Sequence, residues 1–434
     1  MFISNSIGII ADDLTGANDT ALQFHLRGCN TQIVLDYNDL PECKTHTQAW
    51  AISTESRNCD PETAKEKVKI ATKNLIEKLN IDCFYKKIDS TLRGNIAVEA
   101  LAMLEVLEWD AAIILPAFPN EGRITIGGYH LLKGIPIERT ELARDPHSPI
   151  YESHIPLILK KQLKEEDQDL VALLELKTVM KGAGPILVEL NKLITQGKKL
   201  IVVDAVSTTD IEQIVLAIEK CTHKILPCGS AGAAQVLGNI WLPDMKYQHI
   251  AKVIPELPKL IVSGSSTELT KNQIKKLADD DYFENTYFIE LKLENILNQD
   301  FEEVAERASR NLIKDNIVVV HSSQLIENRE ELQNVLFQHE LTKQKFTSLI
   351  GDYLAAITKK IIEQKDVILI TIGGETSYKC CKAIDSQNIQ LIDAVAPAIP
   401  LCIDHKAQWI VTKSGNLGNP NTLVEVLKYF EQHK

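Results

Sequence analysis

No apolar run in this sequence approaches the roughly 20 residues that a membrane-spanning helix needs, so such a helix is not expected. The opening Met-Phe-Ile-Ser-Asn-Ser-Ile-Gly lacks a basic stretch and a sustained apolar core, so no signal peptide is expected. Positive charge is in deficit: 47 Lys and Arg stand against 59 Asp and Glu, a net charge of −12. That balance argues against general binding to nucleic-acid phosphates, although a small anion needs only a few local donors. There are nine Cys, an odd number, at 29, 43, 59, 83, 221, 228, 380, 381 and 402, with no Cys-x-x-Cys pair. They read as reduced, mostly structural thiols of a cytoplasmic protein. Also missing are the G-x-x-x-x-G-K-[ST] phosphate loop, the G-x-G-x-x-G dinucleotide turn, H-E-x-x-H and the protein-kinase motif set. Asp12-Asp13-Leu14-Thr15 is not the D-x-D-x-T of aspartyl-nucleophile phosphatases, which counts against a phosphatase of that type.

What remains is a globular chain of 434 residues, 44% apolar and 24% charged, long enough for two or three domains. Continuous apolar runs predict strands at 7–11, 32–35, 49–53, 83–88, 112–115, 200–204 and 224–226, then at 260–263, 287–290, 317–321, 367–372 and 410–412. Runs of this kind are covered on both faces, as in parallel sheets. Helical patterns lie between them: Ile350, Leu354, Ile357 and Ile361 form one stripe, and Pro61-Glu62 opens another helix. The alternation predicts an α/β fold of two domains, each a largely parallel sheet flanked by helices. The proline-bearing stretch Trp241–Lys259 is the best linker, which places the domains at 1–245 and 257–434. Pro116–Pro149, rich in Gly and Pro, reads as a long functional loop carrying Arg123, His130, Arg144 and Asp145.

Polar runs follow several of the predicted strands, where ligands of open α/β sheets sit. Asp12 and Asp13 end the first; paired carboxylates can accept hydroxyl hydrogen bonds or hold a metal, whereas helix capping needs only one. Lys86-Lys87-Ile88-Asp89-Ser90-Thr91-Leu92-Arg93 ends another, and Arg57 follows a third. Arg can grip a carboxylate with two parallel hydrogen bonds, and Asp can take a hydroxyl proton. In the second half, Ser263-Gly264-Ser265, Gly373-Gly374-Glu375-Thr376 and Ser414-Gly415 each stand between a strand and a helix. Three such turns offer backbone N–H groups to a polyphosphate.

The run of motifs resembles the four-carbon acid-sugar kinase family over nearly the whole chain: IIADDLTGANDTA (9–21), KKIDSTLRGNI (86–96), PAFPNEGRITIGGYH (116–130), ARDPHSP (143–149), VVDAVS (202–207), GSAG (229–232), VSGSSTELTKNQI (262–274), GGETS (373–377) and KSGNLG (413–418). The resemblance implies an N-terminal domain for the acid sugar, a C-terminal domain for ATP, and an active site in the interdomain cleft. It places Asp12, Arg57, Lys87, Ile88, Asp89, Ser90 and Arg93 at the substrate, with Asp12, Asp13 and Asp89 as candidate catalytic groups. It places Ser265, Gly373, Gly374, Glu375, Thr376 and Gly415 at ATP, with Mg²⁺ on the phosphates and its protein ligands unassigned. The expected reaction is phosphorylation of the terminal hydroxyl of a four-carbon sugar acid, D-threonate to 4-phospho-D-threonate first. The alternatives are a D-erythronate or 3-oxo-tetronate 4-kinase and, in another class, a non-catalytic sugar-acid sensor. The expected partners are the sugar acid and ATP, with no nucleic acid or membrane; a homodimer is left open.

Overall fold

The computed structural model describes residues 6–40, 47–140, 143, 150–242, 253–325 and 329–433. Cys43, Arg144, Asp145 and the 243–252 part of the expected linker lie outside them. The chain divides into two compact units, Met1–Gln248 and His249–Lys434.

The first unit carries strands β1 (Ile7–Ala11), β2 (Thr31–Val34), β3 (Ala49–Ser53), β4 (Cys83–Lys87), β5 (Ala111–Leu115), β6 (Arg123–Ile126), β7 (Tyr129–Leu132), β8 (Ile135–Pro136), β9 (Val171–Leu174), β10 (Leu200–Val203) and β11 (Ile225–Gly229). Eight of them form a parallel sheet in the order β2-β3-β1-β4-β11-β5-β10-β9. Every residue of β1, β3, β4, β5 and β11 is buried, as the continuous apolar runs require of strands covered on both faces. The core joins Ile10, Ile52, Phe84 and Ile114 of the sheet to Val68 and Leu75 of the helix Pro61–Leu79. That helix starts where Asp60 accepts from Thr63 N and Pro61 fills the first turn. The register aligns the strand ends: Ala11 pairs with Ser53 on one side and Lys87 on the other, and Gly229 with Lys87 and Leu115. β1 leads to β2 and β3 on one side, while β4 lies on the other. The residues after β1 therefore stand at a topological switch point.

The stretch Pro116–Pro149 is not the plain loop expected. Its described part folds into a separate antiparallel sheet, β6-β7-β8. The run of turn residues hid three very short strands.

The second unit carries β12 (Lys259–Ser263), β13 (Thr286–Glu290), β14 (Ile317–His321), β15 (Ile368–Ile372), β16 (Asn388–Ala396), β17 (Ile399–Asp404) and β18 (Trp409–Lys413). Their order is β13-β14-β12-β15-β18-β17-β16. The first five run parallel, and β17 is antiparallel to both β18 and β16. Ser263 pairs with His321 and Ile372, and Ile372 with Lys413, so these strands also end in one row. The apolar stripe of the helix Lys343–Ile362 buries Leu354, Ile357 and Ile361 and leaves Ile350 partly exposed. Among the described residues no helix is long and apolar enough to cross a membrane, and the eight described cysteines are free thiols.

Candidate active site

In the first unit the aligned strand ends gather five charged side chains that sequence reasoning named. Asp12 follows β1 and Asp13 caps the helix Leu14–His25, its Oδ1 accepting from Gly16 N at 2.7 Å. Arg57, beyond β3, donates to Asp12 through Nε at 2.7 Å and Nη2 at 3.0 Å, and its Nη1 lies 2.5 Å from Asp13 Oδ2. Its Nη2 is 3.5 Å from Asp89 Oδ1. Arg93 forks onto Asp89 through Nε at 2.7 Å and Nη2 at 3.0 Å. Both guanidiniums thus hold the protein's own carboxylates in the bidentate geometry expected for a substrate acid.

The pairing sets the protonation. Burial works against the charge on Asp12, yet Arg57 and then Lys86 hold its carboxyl below the usual range. Asp89 is also buried, and Arg93 and Arg57 hold it well below that range. Burial alone would lower the Arg57 guanidinium; Asp12, Asp13 and Asp89 instead raise it well above the ordinary value. Asp89 Oδ2 also accepts from Thr91 Oγ1 at 2.5 Å and from the Thr91 and Arg93 amides at 3.2 Å, so it organises its own turn. Of the three aspartates Asp13 is the most accessible, 16% exposed against 4% for Asp12 and 7% for Asp89.

Lys87 differs from its neighbours. It is buried at the last position of β4, and its Nζ donates to Ile88 O at 2.9 Å. No carboxylate oxygen among the described residues lies within 4.0 Å of it. The ammonium lies 3.3 Å from where a Cβ on Gly16 would stand, beside the first turn of the helix Leu14–His25. Lys86 is paired instead, with Glu99 Oε2 at 2.7 Å, while Ser56 donates to Glu99 Oε1 at 2.6 Å. Ile88 is buried, its N–H donating to Gly229 O, and Ser90 O faces His130 Nε2 at 3.2 Å. Burial lowers His130 to about 4, so it is neutral at physiological pH and serves as a strut.

Three acids here were not singled out from sequence. Glu55, in the left-handed region at φ 46°, accepts from Leu14 N at 2.8 Å and Ser53 Oγ at 2.5 Å. Burial and then Asp13 push it up to about 7. Asp19 is raised to about 6 by burial, against the pull of Lys87 and Arg123. Glu99 is raised by burial despite Lys86. Only Glu99 left a trace, as an acid on the buried face of the apolar helix Ile96–Leu107.

In the second unit the three turns expected to hold a nucleotide meet at the ends of adjacent strands β12, β15 and β18. Gly415 O accepts from Thr267 Oγ1 at 3.0 Å and Thr270 Oγ1 at 2.9 Å, and a Cβ on Gly415 would overlap Ser265 Oγ. Gly373, at φ 112°, caps the helix Gly374–Ala383 and donates its N–H to Lys413 O at 2.8 Å. That backbone conformation favours glycine. Thr376 is buried in the first turn of this helix, while Glu375 reaches out to Lys379 at 3.2 Å. Sequence reasoning quoted Thr267 and Thr270 within their motif without assigning them to the site, and passed over the pair Ser322–Ser323; Ser322 N donates to Ser263 O at 3.0 Å.

Comparison with known proteins gives these two sites a context. Residues 7–237 match a family model described as a sugar-binding N-terminal domain, and residues 260–423 one described as a nucleotide-binding C-terminal domain. A D-erythronate kinase of Heliobacterium modesticaldum is 29% identical, over 98% of this chain and 97% of its own. A D-threonate kinase of Salmonella typhimurium is 28% identical over 98% of both chains. A 3-oxo-tetronate kinase of Haemophilus influenzae is 25% identical, over 95% of this chain and 97% of its own. The fold is shared with a solved Salmonella typhimurium protein at a TM-score of 0.79, 20% identical over 97% of this chain and 98% of that one. It is shared also with one from Haemophilus influenzae at 0.73, 22% identical over 98% and 100%. With both of its halves matched in order and its full length aligned to these kinases, the chain belongs to the four-carbon acid-sugar kinase family.

Proposed function

We propose that this protein transfers the γ-phosphoryl group of ATP to the terminal (C4) hydroxyl of a four-carbon sugar acid, D-threonate giving 4-phospho-D-threonate. The observation that carries the reading is the position of Lys87, a buried cation with no carboxylate oxygen within 4.0 Å among the described residues, near the most accessible aspartate of the cluster. A small hydroxylated anion answers both groups. The threonate and erythronate types are favoured over the 3-oxo type because the run Lys87–Asn95 resembles them and relatives of both names are 28–29% identical; D-threonate is taken as the first of the two. D-erythronate and the 3-oxo-tetronates are the alternatives that assay must separate.

Phosphoryl transfer asks a protein mainly for alignment and charge neutralisation. In this reading Lys87 takes the substrate carboxylate and Ser90 a hydroxyl. Asp13 accepts the proton of the attacking hydroxyl. Asp12 fixes Arg57, Asp89 fixes Arg93, and these pairs hold Asp13 in place rather than reacting. The turns at Ser265, Gly373–Thr376 and Gly415 hold the nucleotide. Mg²⁺ suits the hard oxygens of the ATP phosphates and keeps several waters, so it needs no protein cage. Among the described residues no three His, Cys, Asp or Glu side chains converge as one, and two arginines already offset most of the charge of the aspartate cluster.

Purified protein assayed for ADP release with ATP and D-threonate, L-threonate, D-erythronate or a 3-oxo-tetronate is expected to turn over D-threonate with the highest kcat/KM. Highest activity on another tetronate would move the substrate. No release with any of them would leave a sugar-acid-binding protein.

A further inference from the structure

Four lysines are buried among the described residues: Lys86, Lys87, Lys259 and Lys413. Lys86 meets Glu99 at 2.7 Å and Lys259 meets Glu431 at 3.6 Å. Lys87 and Lys413 have no carboxylate oxygen within 4.0 Å among the described residues. Each ends a parallel strand, β4 or β18, and donates its Nζ to the carbonyl of the next residue, at 2.9 Å to Ile88 and 2.8 Å to Ser414.

An ammonium buried without a counter-charge is costly, because one carbonyl dipole replaces little of its lost hydration. Lys413 is 2% exposed. Burial alone lowers it to about 8, with no charged neighbour contributing. Its surroundings are those of the nucleotide bed. Its own carbonyl accepts from Gly373 N, its Nζ lies against the turn that presents Gly415, and Gly415 is tied back to Thr267 and Thr270. In the same row of strand ends, Ser263 Oγ is buried with no hydrogen-bond partner among the described residues. Hydroxyls and backbone amides can cradle a polyphosphate, but they cannot neutralise it. Lys413 is the only lysine or arginine in the three turns at 263–267, 372–377 and 413–418.

We propose that Lys413 is the nucleotide-binding unit's phosphate anchor, a buried cation whose missing counter-ion is the polyphosphate of ATP. The proposal rests on the nucleotide reading of this unit and adds a residue to it. Without nucleotide the lysine is a liability to the fold; with nucleotide it forms a charge-assisted contact in a site of low dielectric.

The test is calorimetry on the full-length protein and its Lys413→Met and Lys413→Arg variants, titrated with AMP-PNP, ADP, AMP and adenosine. Lys413→Met is expected to bind AMP-PNP and ADP at least tenfold more weakly and adenosine unchanged. Its melting temperature without ligand is expected to match or exceed that of wild type. Lys413→Arg is expected to recover part of the AMP-PNP affinity. Unchanged AMP-PNP binding in Lys413→Met overturns the proposal, as does an equal loss for adenosine with a lowered melting temperature, which marks a packing role. If wild type binds neither AMP-PNP nor adenosine, the nucleotide reading itself fails, and this proposal with it.

Discussion

In the first unit three carboxylates and two guanidiniums meet within 3.5 Å, so the candidate site already contains most of its own counter-charge. At the ends of β12, β15 and β18 in the second unit, hydroxyls and glycines surround an ammonium that meets no carboxylate oxygen within 4.0 Å among the described residues. The difference follows what each would bind. A tetronate carries a single charge and several hydroxyls, so it needs a scaffold of fixed charges that presents one cation and one base. A polyphosphate brings many charges of its own and is held by amides, hydroxyls and a cation that waits for it. Both units place a buried lysine at the last position of a strand; Lys87 stands inside a charged network and Lys413 outside one.

The sharpest way to break the comparison is at Asp13. Asp13→Asn keeps the helix cap, since the amide oxygen still accepts from Gly16 N, and removes the base. It is expected to lower kcat by about 10²- to 10⁴-fold, the usual worth of a positioned base, with AMP-PNP affinity unchanged in calorimetry. A kcat within twofold of wild type would return the role to Asp12 or Asp89. Next in size is a contrast in stability. Arg57→Ala takes the guanidinium from Asp12 and Asp13 and leaves Asp89 to Arg93 alone, and is expected to cost about 3–5 kcal/mol in urea unfolding, the scale of a broken buried pair. Lys413→Met should cost nothing. Equal losses would mean that the two units treat buried charge alike.

A smaller effect concerns pH. The native value for Glu55, about 7, lies above its ordinary 4.5, so the folded protein binds more protons than the unfolded chain between those values. Stability contributed by this group is therefore full at low pH and falls as pH rises through that window. Relative to Glu55→Gln, wild type is expected to lose about 1–3 kcal/mol between pH 5 and pH 8, the scale of such a shift. Parallel stability profiles would show that Glu55 is not the group responsible.

Much of this was legible because parallel strands announce themselves. The runs at 7–11, 49–53 and 317–321 were placed with the bounds found in the structure, since a strand covered on both faces is apolar at every position. β16, partly exposed along most of its length, escaped because it is not a continuous apolar run; β9, Val-Ala-Leu-Leu, is one but is only four residues long and half of it is partly exposed. Asp12, Arg57, Asp89 and Arg93 could be named because each follows a strand. Their mutual pairing could not, because it depends on the register that brings β1, β3 and β4 to one line. Arg57 and Arg93 were therefore expected to clamp a substrate carboxylate, whereas the structure shows both holding aspartates. What set Lys413 apart, its burial with no carboxylate within 4.0 Å among the described residues, is a property of packing; in the sequence it is one lysine before a turn.

The division of labour between the units is tested most directly by calorimetry of two variants against two ligands. Lys87→Met should lose D-threonate and keep AMP-PNP. Gly415→Val, whose side chain would collide with Ser265, should lose AMP-PNP and keep D-threonate. If either correctly folded variant loses the opposite ligand, the assignment of acid to the first unit and nucleotide to the second is contradicted.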